Sequence, residues 1–339
     1  MRDMRQSGIW NRASGRARHA RLGHACLTSA AALLLGATLS SRALAQGAGT
    51  AGQQALQLPA GARAAALGGA YAGAADADVL FYNPAGSGAL VAGAALSFQR
   101  HVQDVTFGTL AVAHAVGPVV LGLGVAYLDA GSVDVIEPDP AYGGERGRST
   151  GTTATAGESA TRLTIALPVG ERLRVGMAAG LATSSIAGLA RSAPFGDVGA
   201  QLVLPRITVG ASLRNLGRDL KGSGTDAGTP LPREARLGAT LELPGMGPRL
   251  GGRVAADWVQ DLVGRSGWLV GGVEAGLVPG AARPVGVVGR LGWNAGGDAL
   301  QGALTVGGGV QLKALALDYA WQRLEAFGSV HRVGVRWVR

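Results

Sequence analysis

Residues 233–243 read Arg-Glu-Ala-Arg-Leu-Gly-Ala-Thr-Leu-Glu-Leu. After Arg233, the odd positions are apolar: Ala235, Leu237, Ala239, Leu241 and Leu243. The even positions between them, Glu234, Arg236, Gly238, Thr240 and Glu242, are polar or small. Successive side chains of a strand point to opposite faces, so this alternation gives one apolar and one polar face. The same period recurs at 161–167, 207–214 and 332–337, where Val333, Val335 and Trp337 alternate with Arg332, Gly334 and Arg336. About 14 such segments can be marked, starting near Gly93, Val105, Pro118, Ser159, Leu173, Ala193, Ile207, Pro232, Arg249, Trp268, Pro284, Ala303, Ala314 and Ser329. Most run about 9–13 residues, the length a tilted strand needs to cross a bilayer. Soluble strands are nearer five or six residues. The pattern therefore predicts an all-β, 14-stranded antiparallel transmembrane barrel over 93–339, in preference to a soluble, secreted β-sandwich.

The connections follow the same logic. Those after even strands are short, such as Gly117-Pro118, Pro205-Arg206 and the link at Lys313, whereas Glu137–Gly157, Gly217–Pro230 and Asn294–Gln301 are long and polar. Short turns on one rim and long loops on the other are the outer-membrane pattern. Trp258, Trp268, Trp293 and Trp321 fall near the predicted outer strand ends and Trp337 near an inner end, as an interfacial girdle requires. The inward positions carry many glycines, among them Gly122, Gly124, Gly176, Gly180, Gly251, Gly286, Gly307 and Gly309. They also carry Arg162, Arg174, Arg214, Arg236, Arg253, Arg290, Arg332 and Arg336. Small residues admit a second backbone. A plug inside the barrel is expected, with the arginines pairing to acids such as Asp257, Glu274 and Asp318 or to the plug itself.

The chain has 339 residues and a formal net charge of +9, which invites a nucleic-acid partner. The location of the charge argues against one. Residues 1–45 hold seven arginines against Asp3, then an uncharged run from Ala25 to Leu39 and an Ala43-Leu44-Ala45 cleavage pattern. This is the layout of a secretory signal cleaved after Ala45, with an apolar run too short for a spanning anchor. Residues 46–339 keep 24 basic and 21 acidic residues, a net of +3, and lose the one cysteine, Cys26. No nucleic-acid partner is expected. Localisation in the outer membrane, in contact with its lipid, is.

Between the signal and the first strand, 46–92 form the expected plug segment. Its stretch 57–90 reads QLPAGARAAALGGAYAGAADADVLFYNPAGSGAL. It lacks clean alternation, Ala62–Tyr71 has the composition of a short helix, and Asn83-Pro84-Ala85-Gly86 is a turn signal. The stretch resembles the PorV/PorQ family of outer-membrane proteins, which are similar to FadL-type barrels. The resemblance rests on Gly61-Ala62-Arg63, Leu67-Gly68-Gly69-Ala70, the acids Asp76 and Asp78, and Tyr82-Asn83-Pro84-Ala85-Gly86. Leu213-Arg214-Asn215-Leu216-Gly217 and Ser329-Val330-His331-Arg332 add to it. The resemblance implies a non-enzymatic barrel, a type IX secretion shuttle or surface-assembly component whose partners are secretion components or exported cargo. The FadL-type alternative is a channel for hydrophobic small molecules. The chain is short for that family, and the correspondingly small loops weigh against cargo docking, while strand 3, with no visible break for a lateral opening, weighs against the channel.

Other chemistry finds little support. The histidines of 46–339, His101, His114 and His331, are widely spaced, so no metal site or histidine-based triad is expected, and no cofactor. Gly122-x-Gly124 has Tyr127 where a dinucleotide fingerprint needs glycine, and the flexible stretch Gly143–Gly157 lacks the lysine of a phosphate loop.

Overall fold

A computed structural model describes residues 51–100, 105–222, 228–245, 250–277, 279, 284–296, 303–324 and 328–339. The signal, its cleavage site, Cys26, Gln46–Thr50 and His101 lie outside the described residues.

Fourteen antiparallel strands close into one barrel. They are β1 (Ala92–Arg100), β2 (Thr106–Val116), β3 (Val119–Pro138), β4 (Gly147–Val169), β5 (Leu173–Ile186), β6 (Leu189–Val203) and β7 (Ile207–Gly217), followed by β8 (Glu234–Leu243), β9 (Leu250–Asp261), β10 (Gly267–Leu277), β11 (Val285–Asn294), β12 (Leu304–Leu312), β13 (Leu315–Leu324) and β14 (Gly328–Val338). Each pairs with its sequence neighbours, and β1 closes on β14 from Gly93↔Val338 to Arg100↔His331. Closure leaves no free edge. The parity is as the sequence predicts: Leu96, Phe98, Leu163, Leu237, Leu317 and Val333 stand outward and exposed, while Arg162, Arg236, Asp257, Asp318 and Arg336 turn inward and are buried.

Two departures concern strand length and direction. The long polar loop expected from Glu137 to Gly157 is largely strand, because β3 and β4 run on as a hairpin that turns only at Asp139–Arg146. The run of Ser149, Thr150, Thr152, Thr153 and Thr155 explains it, since threonine suits a strand better than a loop. Register shifts at Asp129/Ser132 and Asp134/Ile136 mark where the hairpin leaves the barrel wall. Trp268 does not join an outer girdle. It shares the inward parity of Val270 and packs on Ala70, Ala255, Val259 and Val270.

Residues 51–91 fill the lumen. Residues 54–56 and 77–81 are 3-10 turns, as are Pro84–Ala89, and Ala62–Ala66 forms the one-turn helix α1. The helix stops short of the expected Tyr71 because Gly68 and Gly69 take positive φ, 66° and 87°. The segment starts at the long-loop rim, where Gln53 donates to the carbonyls of Ser159 and Thr183. It ends at the short-turn rim, where Leu90 packs on Ala113, Val120 and Ala166.

Glycine on the wall is what admits it. A Cβ at Gly176 would lie 2.6 Å from the Ala85 nitrogen, and one at Gly272 would lie 2.7 Å from the Leu67 Cα. Replacing Gly272 by Val should therefore displace the plug at a cost of about 1–3 kcal/mol, the usual range for overpacking. The barrel keeps its heat-modifiable migration on gels, and limited proteolysis cuts 51–91 faster than in wild type. Equal cutting rates would show that the wall does not position the plug.

Candidate functional site

The lumen is the candidate site, and α1 starts it. Gly61 takes φ 80°, which turns the chain so that Arg63 points to the wall. Arg63 Nη2 lies 2.8 Å from Glu274 of β10, and Nη1 lies 2.8 Å from Asp76 of the plug itself. Asp76 also receives Arg336 of β14 at 3.0 Å and the Tyr71 hydroxyl at 2.6 Å. Arg336 reaches Asp318 of β13 at 2.6 Å, Asp318 meets Arg290 of β11 at 2.7 Å, and Arg290 returns to Glu274 at 2.5 Å. The result is a closed ring of three arginines and three carboxylates. It ties two plug residues to four strands. A cavity of about 20 Å³ touches the ring, room for roughly one water.

A second contact set lies across the lumen. Asp257 of β9 accepts from the backbone N–H groups of Tyr71 and Ala72 at 2.7 and 2.9 Å and pairs with Arg236 at 2.9 Å. Arg236 in turn donates to the Gly69 carbonyl, and Arg214 and Arg236 share Glu234. Arg162 pairs with Asp197 at 2.8 Å, with its guanidinium over the rings of Phe81 and Phe195. Asn83 holds the turn that its sequence announces. Its amide donates to Ala72 and Ala200, its oxygen caps Ala85, and Pro84 and Gly86 follow buried against Gly199, Gly176 and Ala74. The Tyr82 hydroxyl donates to Ala60 at 2.9 Å.

Three expected pairings differ, those of Arg174, Arg332 and Asp78. Arg174 bonds Gln201 and Arg332 bonds Gln99 and Gln322, so amides take the place of the anticipated acids. Arg253 does reach an anticipated acid, Glu274 at 3.8 Å, and lies 3.1 Å from Glu242, at the margin of the ring. Asp78 pairs with no arginine among the described residues. Its Oδ1 has no hydrogen-bond partner, and the side chain is folded against Gly61. Glu234, Asp197 and the amides Gln99, Gln201 and Gln322 were not singled out from sequence. Their inward parity on β8, β6, β1 and β13 was the available signal.

Above the ion pairs, beneath the long-loop rim, the wall turns apolar. Phe107, Leu128, Ala160, Ala182, Phe195, Val259, Val270, Leu324 and Val330 are all inward and buried. Leu56 and Leu58 of the plug and Leu220 and Leu231 of the β7–β8 connection cover part of this collar. The cover is lightly tied, by Gln53, by Ala55 N–H to Glu158, and by Gly52 N–H to Pro230.

No family model matches the chain, and no curated protein sequence matches it. Solved structures do. The Ralstonia pickettii toluene transporter TbuX superposes with a TM-score of 0.53 at 15% identity, over 83% of this chain and 99% of that one. A TodX monoaromatic hydrocarbon channel mutant lacking S2 and S3 gives a TM-score of 0.53 at 11% identity, over 81% and 97%. The fold is that of the FadL-like 14-stranded outer-membrane barrels.

The two plug acids differ in charge state. Burial alone would lift Asp76, but Arg336 and Arg63 hold it below the usual carboxylate range. Asp78 is pushed up from 3.8 to about 7, by burial first and the charge of Asp76 second. Between those values the folded protein holds a proton that the unfolded chain has lost. The contribution to stability is full below 3.8 and disappears as pH rises to about 7. Opening free energies of the 61–82 amides, measured by hydrogen exchange, should accordingly fall from pH 4.5 to pH 7.5 in wild type. Asp78→Asn should flatten that slope, and an unchanged slope in the variant would place the titration elsewhere.

Proposed function

We propose that the chain is an outer-membrane barrel that passes small hydrophobic molecules, with residues 51–91 as a retained gate. One observation carries it: the buried apolar collar beneath the long-loop rim, covered by a lightly tied segment bearing Leu56 and Leu58. An apolar solute that displaces this cover finds an apolar surface already built. The named functions of the two structural neighbours, a toluene transporter and a monoaromatic hydrocarbon channel, support the same substrate class. The ion-pair ring fills the middle of the lumen, so passage requires the plug to shift within the barrel. A buried pair that loses one partner is destabilised by about 3–5 kcal/mol, so the ring sets how often that happens.

A second reading rests on the same filled lumen together with the PorV/PorQ-like block at 57–90. There the barrel is sealed and serves protein export or surface assembly, with secretion components or cargo as partners. Both readings are non-enzymatic, and they part on influx.

Purified barrel in proteoliposomes should raise toluene influx above that of empty liposomes. Arg63→Ala, which removes the bonds to Asp76 and Glu274, should raise it further. Absence of influx with wild type and variant alike, with secretion components co-purifying, would overturn the channel in favour of the sealed shuttle.

A further inference from the structure

We propose that the lipid-facing wall at β13–β14 carries a second activity, hydrolysis of an acyl ester of a membrane lipid, with Ser329 as nucleophile and His331 as general base. Residues 329 and 331 are two apart on one strand, so both stand on the outward face, where both are exposed. The Ser329 hydroxyl lies 3.4 Å from His331 Nε2. On the neighbouring strand the Tyr319 hydroxyl, also outward, lies 2.7 Å from His331 Nδ1. Nucleophile, base and a third group that fixes the base therefore stand in line, at a nucleophile–base distance usual for an unliganded site. With Nδ1–H donating to Tyr319, the lone pair on Nε2 faces the serine.

The surroundings name the substrate class. Towards the short-turn rim the same face is apolar: Val333, Leu317, Leu96 and Phe98 are each more than half exposed, at 54%, 56%, 57% and 52%. Acyl chains lying on that wall bring the ester of a lipid to the level of Ser329 at the strand end. Trp321 stands opposite His331 in the register, as interfacial tryptophan does. Arg323 stands opposite Ser329, on the same face. Cross-strand partners have Cβ atoms about 5 Å apart, so the Arg323 side chain is long enough to bring its charge to a carbonyl oxygen held at Ser329.

The chemistry balances without a further cofactor. Ser329 Oγ bonds to the acyl carbon and gives its proton to His331 Nε2. The ester C–O bond breaks, and the alcohol leaves with that proton. Water then attacks the acyl-serine, His331 takes its proton and returns it to Oγ, and the fatty acid departs. Tyr319 touches no reacting atom and is a positioning residue. The activity departs from the non-enzymatic expectation, and it is independent of the channel, since it uses the opposite face of the wall.

The test is labelling of the folded barrel, in detergent–phospholipid micelles, by a fluorophosphonate probe. The label should map to Ser329 and be absent from Ser329→Ala. His331→Gln should slow it by about 10²–10⁴-fold, the usual share of general-base catalysis. Tyr319→Phe should shift the pH profile of labelling and of fatty-acid release from a fluorogenic phospholipid. Heat-modifiable migration confirms that each variant is folded. No label on folded wild type, or full label on Ser329→Ala, overturns the proposal, and neither result bears on toluene influx.

Discussion

The ring of Arg63, Asp76, Arg336, Asp318, Arg290 and Glu274 is the constraint on which the rest of the lumen depends. Its members are almost fully buried, so any one left alone would face the desolvation cost of a charge without water. Only the complete ring gives each of them partners of opposite charge. That condition couples a five-residue helix, too short to be stable by itself, to four strands of the wall. It also makes the plug cooperative. Moving the plug away from the wall takes Arg63 from Glu274 and Asp76 from Arg336 together, so the segment is seated or displaced as a unit. Apolar contacts elsewhere in the lumen add stability, but they tolerate sliding in a way the ring does not.

A ring of this kind works only if backbones can approach, and this decides the composition. The plug has few side chains longer than alanine on the faces that meet β5, β7 and β10–β12, and the wall answers with glycine at Gly176, Gly210, Gly272, Gly292 and Gly307. The apolar area gained per residue is small, because alanine against glycine buries little. Polar contacts to backbone therefore carry much of the fit: Asp257 to the N–H groups of Tyr71 and Ala72, and Asn83 and Gln201 to the Ala72 carbonyl. These wall glycines make sense as the complement of such a plug.

Period-two alternation made the barrel legible, down to strand starts within a few residues for most of the strands. It worked because lipid outside and packed plug inside give each strand two unlike faces. It failed where that difference ends. Beyond the rim, β3 and β4 meet water on both sides, and the threonine-rich run then looks like a loop. Trp268 was misplaced for a related reason: tryptophan at a strand end suggests a girdle, whereas its parity with Val270 points inward. Inward arginines were found, but not their partners. Which of Asp76 and Asp78 meets Arg63 depends on the irregular path of 61–78, and no periodicity encodes that path. The serine and histidine of 329–331 were visible as two residues apart on one strand. Histidine spacing along the chain does not register what stands side by side across the face of the sheet.

Strand β14 shows how far one strand can be divided. Arg332 and Arg336 project into the lumen, where Gln99, Gln322, Asp318 and Asp76 receive them. Ser329, His331, Val333 and Val335 project to the membrane side and meet Tyr319 and the neighbouring apolar residues. A slip of one residue would bury His331 and Val333 among charges and drive two arginines into lipid. Charged groups on the lipid face cost about 2–4 kcal/mol at the midplane, so the ion pairs inside also fix the register of the outer face. Since β14 pairs with β1 to close the barrel, that register passes to the whole ring of strands. The same interaction that seats the plug therefore holds Ser329, His331 and Tyr319 on one face.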